Sequence, residues 1–143
     1  MMSELGILGI ARKARRLEVG DELTGAAARA KKAKVILVAA DASENTAERA
    51  GNFASAGGVP LIVLPYTKHE LGLEVGKGDA ALLAITDSGL AASFVSKLAG
   101  ADGARYAETA FLLSEKAQKM QKRKKEAALH AKNSGLGKRR KNI

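Results

Sequence analysis

The stretch Lys34-Val35-Ile36-Leu37-Val38-Ala39-Ala40 decides the fold. It is a continuous apolar run rich in β-branched residues, with no polar alternation, and a strand of that kind is covered on both faces. Downstream, Leu61-Ile62-Val63-Leu64 between two prolines and the run from Ala80 to Thr86 read as two more buried strands. Upstream, Leu17-Glu18-Val19 alternates and reads as a very short strand. Helical signals fill the intervals. Residues 3–13 place Leu5, Leu8 and Ala11 on one face, and Asp21 can cap a second helix through Ala30, with Leu23 and Ala27 inward and a cationic last turn. Asp41-Ala42-Ser43 offers N-caps for a third helix ending at Gly57-Gly58, and Thr67-Lys68-His69-Glu70 is a capping box. After a turn at Gly76-Lys77-Gly78-Asp79, Asp87 or Ser88 caps a helix carrying Leu90, Phe94, Val95 and Leu98 and stopped at Gly100.

Apolar strands alternating with helices call for an α/β fold, a three-layer α/β/α sandwich with a central mixed sheet. That body spans residues 1–100 and is expected to be monomeric. Residues 101–113 read as a linker, and 114–143 as a basic C-terminal tail. Up to about Lys132 the tail has high helix propensity but almost no apolar face, so a helix there depends on a partner that neutralises its charge. Asn133 to Ile143 is expected to be disordered.

The 143 residues suffice for one domain with a real core. The absence of cysteine excludes disulfides, thiolate metal sites and cysteine nucleophiles. No run approaches the ~20 apolar residues of a membrane span. In Leu5 to Ala11 the basic residues follow the apolar segment, the wrong order for a signal peptide, so a cytoplasmic location is expected. The net charge of +9 resides in the tail, where 11 Lys or Arg face only Glu115 and Glu126. The first 113 residues are neutral but polarised. Arg12, Lys13, Arg15, Arg16, Arg29, Lys31, Lys32 and Lys34, against Glu18, Asp21 and Glu22, make the segment from Arg12 to Lys34 +5.

Catalytic signatures are lacking, and neither an enzyme nor a cofactor is expected. His69 lies at a helix start beside a capping Glu, and His130 lies in the tail. Gly76-Lys77-Gly78 lacks the spacing of a phosphate loop, and no Gly-x-Gly-x-x-Gly follows a strand. Asp41 and Asp87, at strand ends, read as helix N-caps in preference to metal ligands. Clustered cations point instead to a polyanion, since binding phosphates releases condensed counterions. With only Phe53, Tyr66, Phe94, Tyr106 and Phe111 there is no aromatic row to stack unpaired bases. What remains is a structured RNA met by helix N-termini, backbone amides and basic side chains.

Val19-Gly20-Asp21-Glu22-Leu23 opening a helix, Lys34 to Ala40, Asp41-Ala42-Ser43-Glu44-Asn45-Thr46, and Glu70-Leu71-Gly72 with Gly76-Lys77 resemble the kink-turn-binding ribosomal protein family of the L-seven-Ae type, in its bacterial YlxQ-like branch. The resemblance runs from Leu5 to Leu98. It implies non-catalytic binding of kink-turn RNA, ribosomal RNA above all; the tail lies outside the family's common domain, and its charge is expected to add non-specific affinity. In archaeal and eukaryotic members a Gly-x-Asn-Glu-x-x-Lys motif reads the guanine edges. Here Gly20 matches the Gly, while Glu22, Leu23 and Ala26 stand at the Asn, Glu and Lys positions. Glu22 cannot donate to a guanine O6, so the base-specific grip is expected to be weaker, or shifted to other groups such as the helix-start amides and Lys31, Lys32 or Lys34. Lys68 falls where the family also has a Lys near the RNA. The expected RNA contacts in the body are therefore Lys13, Gly20, Asp21, Glu22, Leu23, Lys31, Lys32, Lys34, Ser43, Lys68, Gly76 and Lys77. In the tail they are Lys122, Arg123, Lys124, Lys125, Lys138, Arg139, Arg140 and Lys141. The start of the second helix at Gly20 is expected to be flanked by cations from the first helix and the following strand. The alternative is a module docking on a ribosomal or translation-factor protein, since fold does not fix function.

Overall fold

A computed structural model describes residues 3–141, with side chains as far as Ala131. The chain order is α1 (Glu4–Lys13), β1 (Leu17–Val19), α2 (Asp21–Arg29), β2 (Val35–Val38), α3 (Glu44–Gly57), β3 (Leu61–Val63), α4 (Lys68–Val75), β4 (Leu82–Ile85), α5 (Ser88–Ala101) and α6 (Gly103–Lys141). The strands form one sheet in the order β1-β4-β2-β3. β1 and β2 run antiparallel to β4, and β3 runs parallel to β2.

Successive side chains of a strand point to opposite faces, and in β2 and β4 both sets are apolar. Val35, Leu37, Leu83 and Ile85 join the larger core with Ile7 and Leu8 of α1 and Phe94, Val95 and Leu98 of α5. Ile36, Val38, Leu82 and Ala84 join a smaller core against Ala27 and Ala28 of α2 and Ala50 and Ala54 of α3. A mixed sheet with helices on both faces is the sandwich that the apolar runs predict. Among the described residues no helix is long and apolar enough to cross a membrane.

The local signals act mostly where expected. Ser43 accepts the Thr46 N–H at 3.2 Å, Asp87 accepts that of Leu90 at 2.8 Å, and Thr67 and Glu70 close a capping box with two bonds of 3.1 Å. Asp41 does something else: its carboxylate accepts the Lys68 N–H at 2.7 Å, holding the start of α4 across the end of the sheet.

Two elements depart from the sequence expectation. β3 is not buried on both faces: it is an edge strand, with Leu61 38% and Val63 44% exposed and only Ile62 enclosed. The Val63 carbonyl accepts the Tyr106 hydroxyl and the Arg105 guanidinium, each at 3.0 Å. Those donors belong to α6, whose first turns occupy residues 103–113, where a linker was expected. Tyr106, Ala110 and Leu113 are buried with Ala117 packed beside them, and their 4-3-4 spacing forms a helical stripe against the larger core. Beyond Ala117 the stripe stops. The backbone is helical to Lys141, through the stretch expected to be disordered, and residues 142 and 143 lie outside the described residues.

Candidate nucleic-acid interface

Gly20 has φ 99 and ψ 164, a conformation open only to glycine. A Cβ there would meet nothing within 4 Å, so the backbone angle and not space imposes the residue. Its N–H donates to the Leu82 carbonyl at 2.9 Å, and its carbonyl accepts the Thr24 N–H at 3.0 Å to close the first turn of α2. Gly20, not Asp21, is thus the N-cap. No side chain caps α2, which leaves its leading amides and the positive end of its dipole to solvent. Asp21 instead pairs with Arg49 of α3. Glu22 is exposed. Ser43 and Lys68, at the starts of α3 and α4, share this end of the sheet with the carboxylates Asp21 and Asp41.

The cations expected around Gly20 are elsewhere. β1 leads away from Arg15 and Arg16 toward Gly20, and α2 returns in the opposite sense to Lys31. The residues before β1 and those after α2 therefore meet at the far end of the helix, about 13 Å from Gly20 at 1.5 Å per residue over nine residues. Arg16 and Lys34 are tied there by backbone bonds, Thr86 N–H to the Arg16 carbonyl at 2.9 Å and Lys34 N–H to the Ile85 carbonyl at 2.8 Å. An open groove of about 650 Å³ runs along α2 beside β1, with Arg15, Arg16, Lys32 and Lys34 at its basic end and Leu23 toward Gly20. Leu23, expected inward, is 49% exposed, whereas Ala27, expected inward with it, is buried beside Ala28 against the sheet.

Among the described residues, Arg15 and Lys31 are the positive-φ residues other than glycine, both at φ 60. Each follows a helix end in a Schellman motif. Arg16 N–H reaches the Ala11 carbonyl at 2.7 Å and Arg15 N–H that of Arg12 at 3.1 Å. Lys32 and Lys31 repeat the pattern onto Ala27 and Ala28 at 2.9 and 3.1 Å. This position usually holds glycine, since an L side chain costs about 1–2 kcal/mol there, and α3 and α4 do end in Gly58 and Gly76. Lys31 donates its ammonium to the Ala56 carbonyl at the end of α3.

Sequence reasoning did not single out Arg15, Arg16, Lys116 or Lys119 as sites. A second hollow of about 290 Å³ lies between Arg16, Lys34 and Thr86 on one side and Met120, Gln121 and Lys124 of α6 on the other. A third, of about 190 Å³, adds Lys116, Lys119 and Arg123. Arg123 and Lys124 of the tail therefore reach the basic end, while Lys122 and Lys125 are exposed on α6 without lining these hollows. The side chains of Lys138, Arg139, Arg140 and Lys141 lie outside the described residues. Lys13 and Gly76 occupy a separate hollow between α1 and α4. Gly76 is the C-cap of α4 and Lys77 follows it, in a turn folded so tightly on Gly72 that a Cβ there would lie 2.5 Å from the Gly78 oxygen. Among the described residues no group of three or more His, Asp or Glu could hold a metal ion.

No family model matches the chain. Over 96 residues it is 34% identical to the RNA-binding protein YlxQ of Bacillus subtilis (strain 168), which covers 64% of this chain and 91% of that protein. The chain belongs to the YlxQ family. A second member, RNA-binding protein YlxQ of Enterococcus faecium, is 37% identical over 87 residues, 61% of this chain and 82% of its own. Among solved structures, a protein with unknown function from Bacillus halodurans C superposes with a TM-score of 0.60 at 22% identity, over 66% of this chain and 94% of that one. The Giardia lamblia 15.5kD RNA binding protein gives 0.53 at 20% identity, over 65% and 82%. The two structures share the fold. The resemblance to the YlxQ-like branch, drawn from stretches between Val19 and Lys77, is borne out.

Proposed function

We infer that the chain is a non-catalytic RNA-binding protein that holds structured, kink-turn-like RNA, with ribosomal RNA as its target. The observation that carries this reading is the uncapped start of α2. Gly20 presents the first-turn amides as anion donors at the position where the family places its RNA motif, and the relatives are named RNA-binding proteins. Glu22 accepts hydrogen bonds but cannot donate to guanine O6, so discrimination rests on backbone amides and on the shape of the bend. Lys68 and Ser43 flank the same end and supply a cation and a hydroxyl for phosphates. Basic residues of α6 add sequence-independent affinity.

The test is a salt titration of the full chain with a kink-turn duplex and with a matched duplex whose sheared G·A pairs are replaced by Watson–Crick pairs. Tighter binding to the kink-turn at every salt concentration is expected. Equal affinities would refute kink-turn specificity.

A further inference from the structure

We propose that the basic end of the sheet is a second RNA surface, a channel shared between the body and α6 that takes the phosphate backbone of a double-stranded arm. The proposal rests on the RNA-binding reading above but not on recognition at Gly20, which lies at the other end of α2. Arg16 and Lys34 form the ridge between two hollows, one running along α2 and the other along α6. Facing them, Lys116, Lys119 and Arg123 recur at spacings of three and four, with Lys124 next to Arg123, so α6 presents cations over about 12 Å.

Three observations identify the occupant as a polyanion. Among the described residues none of Arg15, Arg16, Lys34, Lys116, Arg123 and Lys124 is in an ion pair. The carboxylates lining the hollows along α2 and α6 are Glu18 and Asp87, and Asp87 is engaged by the Leu90 amide. Arg15 keeps a cationic side chain in a backbone conformation that the ends of α3 and α4 give to glycine. A single small anion would engage two or three of these groups; cations on both walls suit a chain of regularly spaced charges. The register is fixed, because Tyr106, Ala110 and Leu113 anchor α6 before its basic stripe begins.

The same surface favours duplex over unpaired RNA. No aromatic side chain lines either of these two hollows, so unstacked bases find no platform, whereas backbone phosphates need only positive charge. The chain thus meets RNA at two places, a bend at the start of α2 and a flanking arm at its end.

The experiment is fluorescence anisotropy of the full chain with the kink-turn and Watson–Crick duplexes, from 0.05 to 0.3 M salt, on the order of the range where counterion release dominates. The variants are Arg16→Ala with Lys34→Ala, and Lys116→Ala with Arg123→Ala. Each pair is expected to lessen the slope of log K against log[salt] by about 1.8, at about 0.9 per lost phosphate contact. The loss should be equal on both duplexes, leaving the kink-turn preference unchanged. Arg16→Lys with Lys34→Arg preserves the charge and should keep the slope, which separates loss of contact from misfolding. An unchanged slope in either alanine pair overturns the proposal, as does a loss confined to the kink-turn duplex. Polyglutamate competing as well as the duplex would reassign the surface to acidic protein. If the unaltered chain binds neither duplex, the RNA reading falls with it; if it binds both with only the slope unmoved, the second surface alone falls.

Discussion

Replacing Arg15 by glycine should stabilise the fold and weaken RNA binding together. At φ 60 the arginine bears the penalty of a left-handed L-residue, about 1–2 kcal/mol, which glycine does not. Glycine returns roughly 0.4–1 kcal/mol of that through the greater freedom of the unfolded chain. The Schellman bonds are made by backbone and survive, and the exposed side chain has little packing to lose. The net gain is then about 0.5–1 kcal/mol, a rise of roughly 2–3 °C in Tm at this chain length. Removing one phosphate contact lessens the salt slope by about 0.9, or about eightfold in affinity at 0.1 M salt relative to 1 M. Thermal unfolding followed by circular dichroism reads the first effect, and anisotropy with the duplexes above reads the second. A fall in Tm would refute the strain argument. Unchanged affinity with raised Tm would show that Arg15 faces the groove without touching RNA.

Gly20→Ala should destabilise by about 1–3 kcal/mol in urea unfolding, from φ 99 alone since the position is open; a neutral result would mean that the turn has other solutions. Thr24 is fully buried in α2 with its hydroxyl unpartnered, so Thr24→Val should stabilise by about 1 kcal/mol, and destabilisation would reveal a partner for that oxygen. Burial, and then the hydrogen bond to Glu4, raise the Tyr66 phenol above its usual 10. The folded chain keeps this proton to higher pH than the unfolded chain, so the contribution is complete below pH 10 and declines as pH rises beyond it. Tyr66→Phe should lack this part of the alkaline loss in a stability profile from pH 9 to 12, and parallel profiles would contradict it.

The layers were legible because β2 is apolar at every position, which only a strand covered on both faces tolerates. The capping signals at Ser43, Thr67 and Asp87 were legible for a similar reason, since each reaches no farther than its own first turn. The stripe of Tyr106, Ala110 and Leu113 was present in the sequence as well, but the high charge and the alanines around it mask the spacing. The exposure of β3 was not legible, because Leu61-Ile62-Val63 has the composition of a central strand and edge position depends on what pairs with it.

The sequence by itself determined the α/β class, most helix caps, the family likeness and the excess of positive charge. All of these depend on neighbours within a few residues or on composition. The tertiary structure alone decided where that charge faces. Arg16 and Lys34 are separated in sequence by β1 and α2, and they meet because the strand and the helix run in opposite senses. α6 then brings Lys116 and Lys124 to the same end from about a hundred residues away. A linear reading puts those cations on either side of Gly20, and the returning helix carries them to its other end.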